Sequence, residues 1–101
     1  MILGLALLAM LTPTAREQHG QFTGIGRATE SCTLAMQKAG WAEWAAGYFT
    51  GLNEAHNAMV GRFVDDEGIK GEIKLRCSQH PSEIFLETIH SAWSKTRSEG
   101  R

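Results

Sequence analysis

Residues 41–59 read WAEWAAGYFTGLNEAHNAM, and this stretch decides the fold class. Its apolar side chains recur at steps of three and four residues, which is the period of one face of an α-helix. The period predicts a helix over 41–59 that ends before Gly61. The residues on its apolar face are Trp41, Trp44, Ala45, Tyr48, Leu52, Ala55 and Met59.

Two glycines, Gly47 and Gly51, stand four residues apart inside this predicted helix. Residues at that spacing share a face, and each glycine costs about 1 kcal/mol of helix stability relative to alanine. Such a cost is tolerable where another backbone approaches closely. The pair therefore predicts a packing face for a helix of this chain or of a second subunit in a homodimer. The alternative is a helix that breaks within 47–51.

The flanking segments predict three further helices and no strand. A first helix occupies 31–40, a third begins at Asp65 or Asp66 and stops at Pro81, and a fourth begins at Pro81 or Ser82. Because no segment alternates like a strand over more than a few residues, we predict an all-α fold, an orthogonal bundle of four or five helices. The predicted core positions of the third and fourth helices are Ile69, Ile73, Cys77, Phe85, Ile89 and Ala92 or Trp93.

The first fifteen residues, MILGLALLAMLTPTA, are apolar as far as Leu11, and charge begins at Arg16. This length suits the apolar region of a secretory signal peptide and is too short to span a bilayer. The alternative is a buried N-terminal helix of the mature protein. The organisation predicted from export is a signal peptide over 1–15, an exposed arm over 16–30, a helical domain over 31–97 and a tail over 98–101.

The chain has two cysteines, Cys32 and Cys77. Their spacing matches no metal or redox motif, and an exported protein meets an oxidising environment that favours paired thiols. Export therefore predicts a disulfide between them. Closing a loop of this length is worth about 4 kcal/mol in the chain-entropy model, which is a large contribution for so small a core.

Several function classes find little support in the sequence. Ten Lys and Arg balance eleven Asp and Glu, and no basic stripe suited to nucleic acid is present. No nucleophile elbow occurs and both cysteines are predicted to be bonded, so we predict no catalytic residue and no enzyme activity.

Two patterns in the sequence contain residue types that can ligate a metal. Glu87 and His90 form one E-x-x-H step, but a dimetal site in a helical bundle uses paired copies of that motif. The acidic cluster Asp65, Asp66 and Glu67 suits the positive end of a helix better than a cation. We therefore predict no metal and no cofactor.

The aromatic side chains near the start of the second helix suggest how a partner protein would be bound. Most of them belong to a core, but Trp41, Trp44 and Phe49 cannot all face the same way, so some remain near the surface as anchors. The apolar surface predicted to bind clients or a partner comprises Trp41, Trp44, Tyr48, Phe49, Leu52, Phe85 and Trp93.

An order of elements over 31–93 carries a resemblance to a known family. A cysteine opens the domain, WAAGYFTGLN follows at 44–53, an EGI segment leads into LRCSQHP at 75–81, and an amphipathic helix comes last. With this order the chain resembles the HdeA/HdeB acid-stress chaperones, small exported helical proteins of Gram-negative bacteria. The resemblance implies a periplasmic domain with the disulfide Cys32–Cys77. It also implies a dimer that acid loosens, exposing apolar surface that holds denaturing clients.

Three functions follow as hypotheses. The first is a periplasmic chaperone-like protein that binds unfolding clients through apolar faces of the second and fourth helices. The second is a periplasmic inhibitor or immunity protein for an exported toxin or hydrolase. The third is an accessory subunit of an envelope complex that assembles through Gly47 and Gly51. All three bind proteins, and none requires nucleic acid or a membrane once the signal peptide is removed.

Overall fold

The computed structural model describes residues 23–101, and regular structure in that range is helical. A short 3₁₀ helix, Gly26–Thr29, is followed by α1 (Cys32–Met36), α2 (Trp41–His56), α3 (Asp66–Gln79) and α4 (Phe85–Ser98). The disulfide Cys32–Cys77 joins α1 to α3. The all-α, four-helix, single-disulfide prediction is confirmed. The predicted signal peptide and the first part of the predicted arm lie outside the described residues.

Helices α1 and α3 begin at capping side chains that the sequence offers, whereas α4 begins at Phe85, later than the predicted start at Pro81 or Ser82, and its N-cap Ile84 makes no side-chain hydrogen bond. The Ser31 hydroxyl accepts a hydrogen bond from Leu34 N–H at 3.3 Å, and the Asp65 carboxylate accepts one from Gly68 N–H at 2.7 Å. Helix α1 is shorter than predicted, because the chain leaves it after Met36 and turns towards Gly40.

Helix α4 is the central helix of the bundle, since it contacts α1, α2, α3 and the 3₁₀ helix. Its core positions are confirmed: Phe85, Ile89, Ala92 and Trp93 are all buried. The 3₁₀ helix packs on α4 through buried Ala28, so packed structure begins before the predicted domain start at 31.

The predicted end of the second helix is wrong. Helix α2 stops at His56, and Asn57 takes a left-handed conformation with φ +48°. Met59, predicted to lie on the apolar face, is therefore outside the helix and 65% exposed. The buried face of α2 is instead formed by Ala45, Phe49 and Leu52, at steps of four and three residues.

Gly47 and Gly51 lie on the exposed side of a continuous α2. Beyond its chain neighbours and the adjacent helix backbone, a Cβ atom built at either position has no heavy atom within 4 Å among the described residues. The alternative of a break in this segment is not observed, and the close packing predicted for a helix of this chain is not found. Packing against a second subunit stays a prediction.

We expect Gly51→Ala to stabilise the isolated chain by about 1 kcal/mol, because alanine favours the helix and its methyl group meets open space. Urea unfolding measures the change. The control is Gly61→Ala, which should destabilise, because Gly61 has φ +95° and its Cβ would lie 3.1 Å from Ile69. Destabilisation by Gly51→Ala, with a loss of dimer mass in Gly51→Leu by ultracentrifugation, would instead show that a second backbone packs there.

Candidate functional site

Helices α1, α3 and α4 meet at one junction, where the start of α1 lies antiparallel to the turn before α4. The disulfide fixes α1 to α3 at the same place, with the two Cα atoms 5.5 Å apart. The hydrogen bonds across the junction run from Cys32 N–H to the Glu83 carbonyl (2.7 Å), from Thr33 N–H to the Pro81 carbonyl (3.1 Å) and from Phe85 N–H to the Glu30 carbonyl (2.8 Å).

The side chain of Glu83 holds the polar centre of this junction. Arg76 on α3 donates to both carboxylate oxygens, from Nε at 3.0 Å and from Nη2 at 2.6 Å. The hydroxyl of fully buried Thr88 on α4 donates to the same carboxylate at 2.9 Å. Only 17% of the Glu83 side chain is exposed, so its two-point contact with the Arg76 guanidinium is partly shielded from water.

The hydrogen bonds from Arg76 hold the pKa of the Glu83 carboxyl below its ordinary value of 4.5. Burial acts in the opposite direction, and the Thr88 hydroxyl adds to the lowering of that pKa. A lowered folded-state pKa means that the carboxylate stabilises the fold above pH 4.5 and that this stabilisation is lost as the pH falls through the folded value. The junction is therefore weakened in strong acid.

An aromatic edge lies next to the junction, formed by Trp41, Trp44 and Tyr48 of α2. The Trp44 ring is 5.7 Å from the ring of Phe85, which begins α4 two residues after Glu83. Trp44 also stacks on Tyr48 at 6.0 Å. All three edge residues are half-buried and pack against the core.

The structure divides the predicted client-binding surface into two groups. Trp41, Trp44 and Tyr48 reach solvent at the aromatic edge. The remaining four residues are core in the closed bundle and cannot contact a partner unless it opens; they are Phe49, Leu52, Phe85 and Trp93. Apolar periodicity identifies side chains that leave water on folding, which is why most of the predicted surface lies inside.

Glu87 and His90, the E-x-x-H pair of the sequence, both lie on α4. His90 packs edge-on against Trp93 at 6.1 Å, one turn beyond Glu87 on α4. Within 23–101, no group of three or more His, Cys, Asp and Glu side chains is arranged to hold a metal ion. In the same range, no helix has the length and apolar character needed to cross a membrane.

A second polar centre, which the sequence analysis missed, is formed by Asn53. Its carboxamide accepts hydrogen bonds from Val60 N–H at 3.1 Å and from the Trp93 indole at 2.9 Å, and it donates to the Val60 carbonyl at 3.0 Å. These bonds join α2, the loop over 57–65 and α4. The only signal in the sequence is an Asn next to the core residue Leu52, just before a helix end.

The loop over 57–65 presents apolar side chains to solvent. Met59 and Phe63 are 65% and 67% exposed. Arg62 lies between them, with Nη1 3.4 Å from the Met59 sulfur and its guanidinium 4.7 Å from the Phe63 ring centroid. Met59 and Arg62 also line a shallow depression of about 350 Å³, to which Arg97 and Arg101 contribute. We call the loop surface the set Met59, Arg62, Phe63, Arg97 and Arg101.

Comparison of the chain with family models, with curated protein sequences and with solved structures returned no match. The resemblance to the HdeA/HdeB chaperones therefore stays a prediction from the sequence.

Proposed function

We propose that this protein is a periplasmic, acid-activated chaperone that stays closed at neutral pH and binds unfolding clients in strong acid. The observation that supports this most is the carboxylate of Glu83, which connects Arg76 on α3 with Thr88 on α4 and has a lowered pKa. Because its pKa is lowered, this carboxylate is charged at neutral pH and loses its charge only in acid.

Protonation of Glu83 removes the charged partner of Arg76 and weakens the acceptor of the buried Thr88 hydroxyl. A further ion pair, between Glu72 and Lys95, joins α3 to α4 at 2.9 Å and depends on the charge of the Glu72 carboxylate. When all eleven carboxylates are neutral, ten Lys and Arg and four His leave a formal charge of +14 on the chain. Repulsion of this size favours an opened bundle.

The beginning of α4 is the part of the bundle that depends most directly on the junction. Separation of α4 from α2 would uncover Phe85 beside Trp44, and then Phe49 and Trp93. These side chains were predicted to bind clients, and in an opened bundle they offer apolar area to exposed apolar segments of a client. The disulfide keeps α1 and α3 together meanwhile, which favours refolding on neutralisation.

Light scattering of a client that aggregates in acid, such as malate dehydrogenase, tests the proposal. We expect the protein to suppress scattering at about pH 2.5, where carboxylates are protonated, and to have little effect at about pH 7. Lysozyme at the same mass concentration controls for nonspecific protection. Failure to suppress aggregation at low pH would refute the chaperone proposal.

Glu83→Gln tests the acid trigger itself. At neutral pH the variant should be less stable by about 1–3 kcal/mol, because a charge-assisted bidentate contact becomes neutral. The difference should vanish in strong acid, where Glu83 of the natural protein is also neutral, and the midpoint of acid opening should move to higher pH. Urea unfolding across the pH range measures both effects.

The matched control for this variant is Glu54→Gln. Glu54 is an exposed carboxylate on α2 that forms no ion pair with any residue in 23–101. Its neutralisation should leave the midpoint of opening close to that of the natural protein. A Glu83→Gln variant that opens at the same pH as the Glu54→Gln control would show that the junction is not the trigger.

The second candidate function is a periplasmic inhibitor or immunity protein for an exported toxin or hydrolase. The exposed Met59, Arg62 and Phe63 favour it, because methionine, arginine and aromatic side chains are enriched at protein interfaces. A neighbouring gene for a secreted hydrolase would support inhibition, whereas an acid-induced gene would support the chaperone.

A further inference from the structure

We propose that the loop surface binds an acidic segment of a partner protein that carries an apolar side chain between its carboxylates. This binding would use the closed bundle at neutral pH. It is therefore a further function, separate from client binding by the opened chain in acid.

The apolar part of the surface is formed by Met59 and Phe63, which are among five large apolar side chains that are exposed in the described chain. The other three lie in separate parts of the chain, whereas these two share one loop and flank Arg62. Neither side chain contributes to the core cluster. Exposed apolar groups cost solvation free energy, part of which is recovered when they contact an apolar side chain of a partner.

The charged part of the surface is cationic. Arg62, Arg97 and Arg101 line the depression, and the neighbouring carboxylate of Glu99 pairs with Arg101 at 2.7 Å. Within 23–101, Arg62 and Arg97 form no ion pair, and Arg97 stacks over Trp93 at 5.1 Å. The planar guanidinium fork matches a carboxylate in two-point hydrogen bonding. A partner with carboxylates beside an apolar group is thus complementary in charge and in polarity.

The loop is ordered before any partner arrives. The Asn53 carboxamide binds both the N–H and the carbonyl of Val60, and Gly61 N–H donates to the Arg101 carbonyl at 3.1 Å. The left-handed φ of +95° at Gly61 allows the loop to pass close to the Phe49 ring, where an added Cβ would lie 3.2 Å away. Because the loop backbone is already held by these bonds, binding would cost little backbone conformational entropy.

A protein segment fits this surface better than an anionic membrane. Among the described residues, the cations that line the depression are all arginines, whose hydrogen-bonding geometry suits a carboxylate, and none is a lysine. The site is a shallow depression of about 350 Å³, which a protruding side chain of a partner can enter. A bilayer would instead meet only the tips of Met59 and Phe63.

The proposal is tested with random 12-residue peptides displayed on phage and selected against the disulfide-bonded protein at about pH 7.5, where carboxylates are charged. We expect selected peptides to carry Asp or Glu on both sides of an apolar residue. Fluorescence anisotropy with the synthetic peptides should give affinities that fall at least about tenfold in Met59→Ser/Phe63→Ser and in Arg62→Glu. The matched control is Leu75→Ser, which removes an exposed apolar side chain from α3.

Any one of four results would overturn the proposal. In the selection, no peptide is enriched over a blocked surface, or the enriched peptides lack acidic residues. In the binding assays, the peptides bind the loop variants as well as the natural protein, or phosphatidylglycerol vesicles bind through these residues while peptides do not. Circular dichroism confirms that each variant is folded, and Arg62→Glu serves alone if the double variant is not. Because these measurements use the closed bundle at neutral pH, their outcome is independent of the acid chaperone assay.

Discussion

Cys32→Ala/Cys77→Ala will lower the stability of the protein by about 2–5 kcal/mol, the usual range for a native disulfide in a small domain. The bond joins residues separated by 45 positions and ties the short helix α1 to α3. Without it, α1 has one turn of helix and the hydrogen bonds of the junction to hold it in place. The loss is also large because both sulfurs lie in the core and their removal leaves a void.

Calorimetry at neutral pH measures this effect, with a fall in melting temperature of about 4–8 °C per kcal/mol for a domain of this size. The natural protein in a thiol reductant should melt near the variant, and the reductant should leave the variant itself unchanged. Serine replacements serve as a second pair, since they keep the size of the thiol more closely. A double variant that melts with the natural oxidised protein would show that the disulfide contributes little to the fold.

Removal of the disulfide also distinguishes two steps of the proposed acid cycle, which are client binding in acid and refolding on neutralisation. If it confines the opened chain, the cysteine-free variant should still suppress client aggregation in acid but should recover its native circular dichroism poorly on neutralisation. The same variant tests whether chaperone activity needs the closed state at all.

Local sequence signals explain most of the fold. Ser31 and Asp65 cap α1 and α3 by accepting a hydrogen bond from the N–H group three residues further along the chain. Because both partners are close in sequence, these two helix starts are predictable from local sequence alone. The faces of α3 and α4 follow from helical periodicity. The pairing of Cys32 with Cys77 followed from the count of cysteines and the expected export.

The features that could not be predicted depend on contacts made after the chain turns. Arg76 and Glu83 are seven residues apart with Pro81 between them, and only the direction of the turn brings the carboxylate back to α3. The end of α2 was also unpredictable from local sequence, because the apolar period of the helix continues to Met59. The Asn53 carboxamide binds the backbone N–H and carbonyl of Val60, which would otherwise be free to continue the helix. The exposed position of Met59 is a consequence of this earlier helix end.

Asn53→Ala is expected to destabilise the protein by about 2–4 kcal/mol, because each buried polar group left without a partner costs about 1–3 kcal/mol and water can reach part of the site. Three hydrogen bonds are lost together: those of Val60 N–H, the Val60 carbonyl and the Trp93 indole. Urea unfolding measures the loss. Thr50→Ala, which removes a single exposed bond within α2, is the control and should change stability by less than about 1 kcal/mol.

A double-mutant cycle with Trp93→Phe isolates the bond between the indole and Asn53, and coupling of about 1 kcal/mol is expected. Hydrogen exchange at Val60 N–H should speed up in Asn53→Ala, because the loop over 57–65 loses its attachment to α2. If order in this loop is what prepares it for a partner, peptides selected on the loop surface should bind Asn53→Ala more weakly, although Met59, Arg62 and Phe63 are unchanged. Unaltered exchange at Val60 with unaltered peptide affinity would mean that the loop holds its conformation without Asn53, and that the polar network stabilises the contact of α2 with α4 alone.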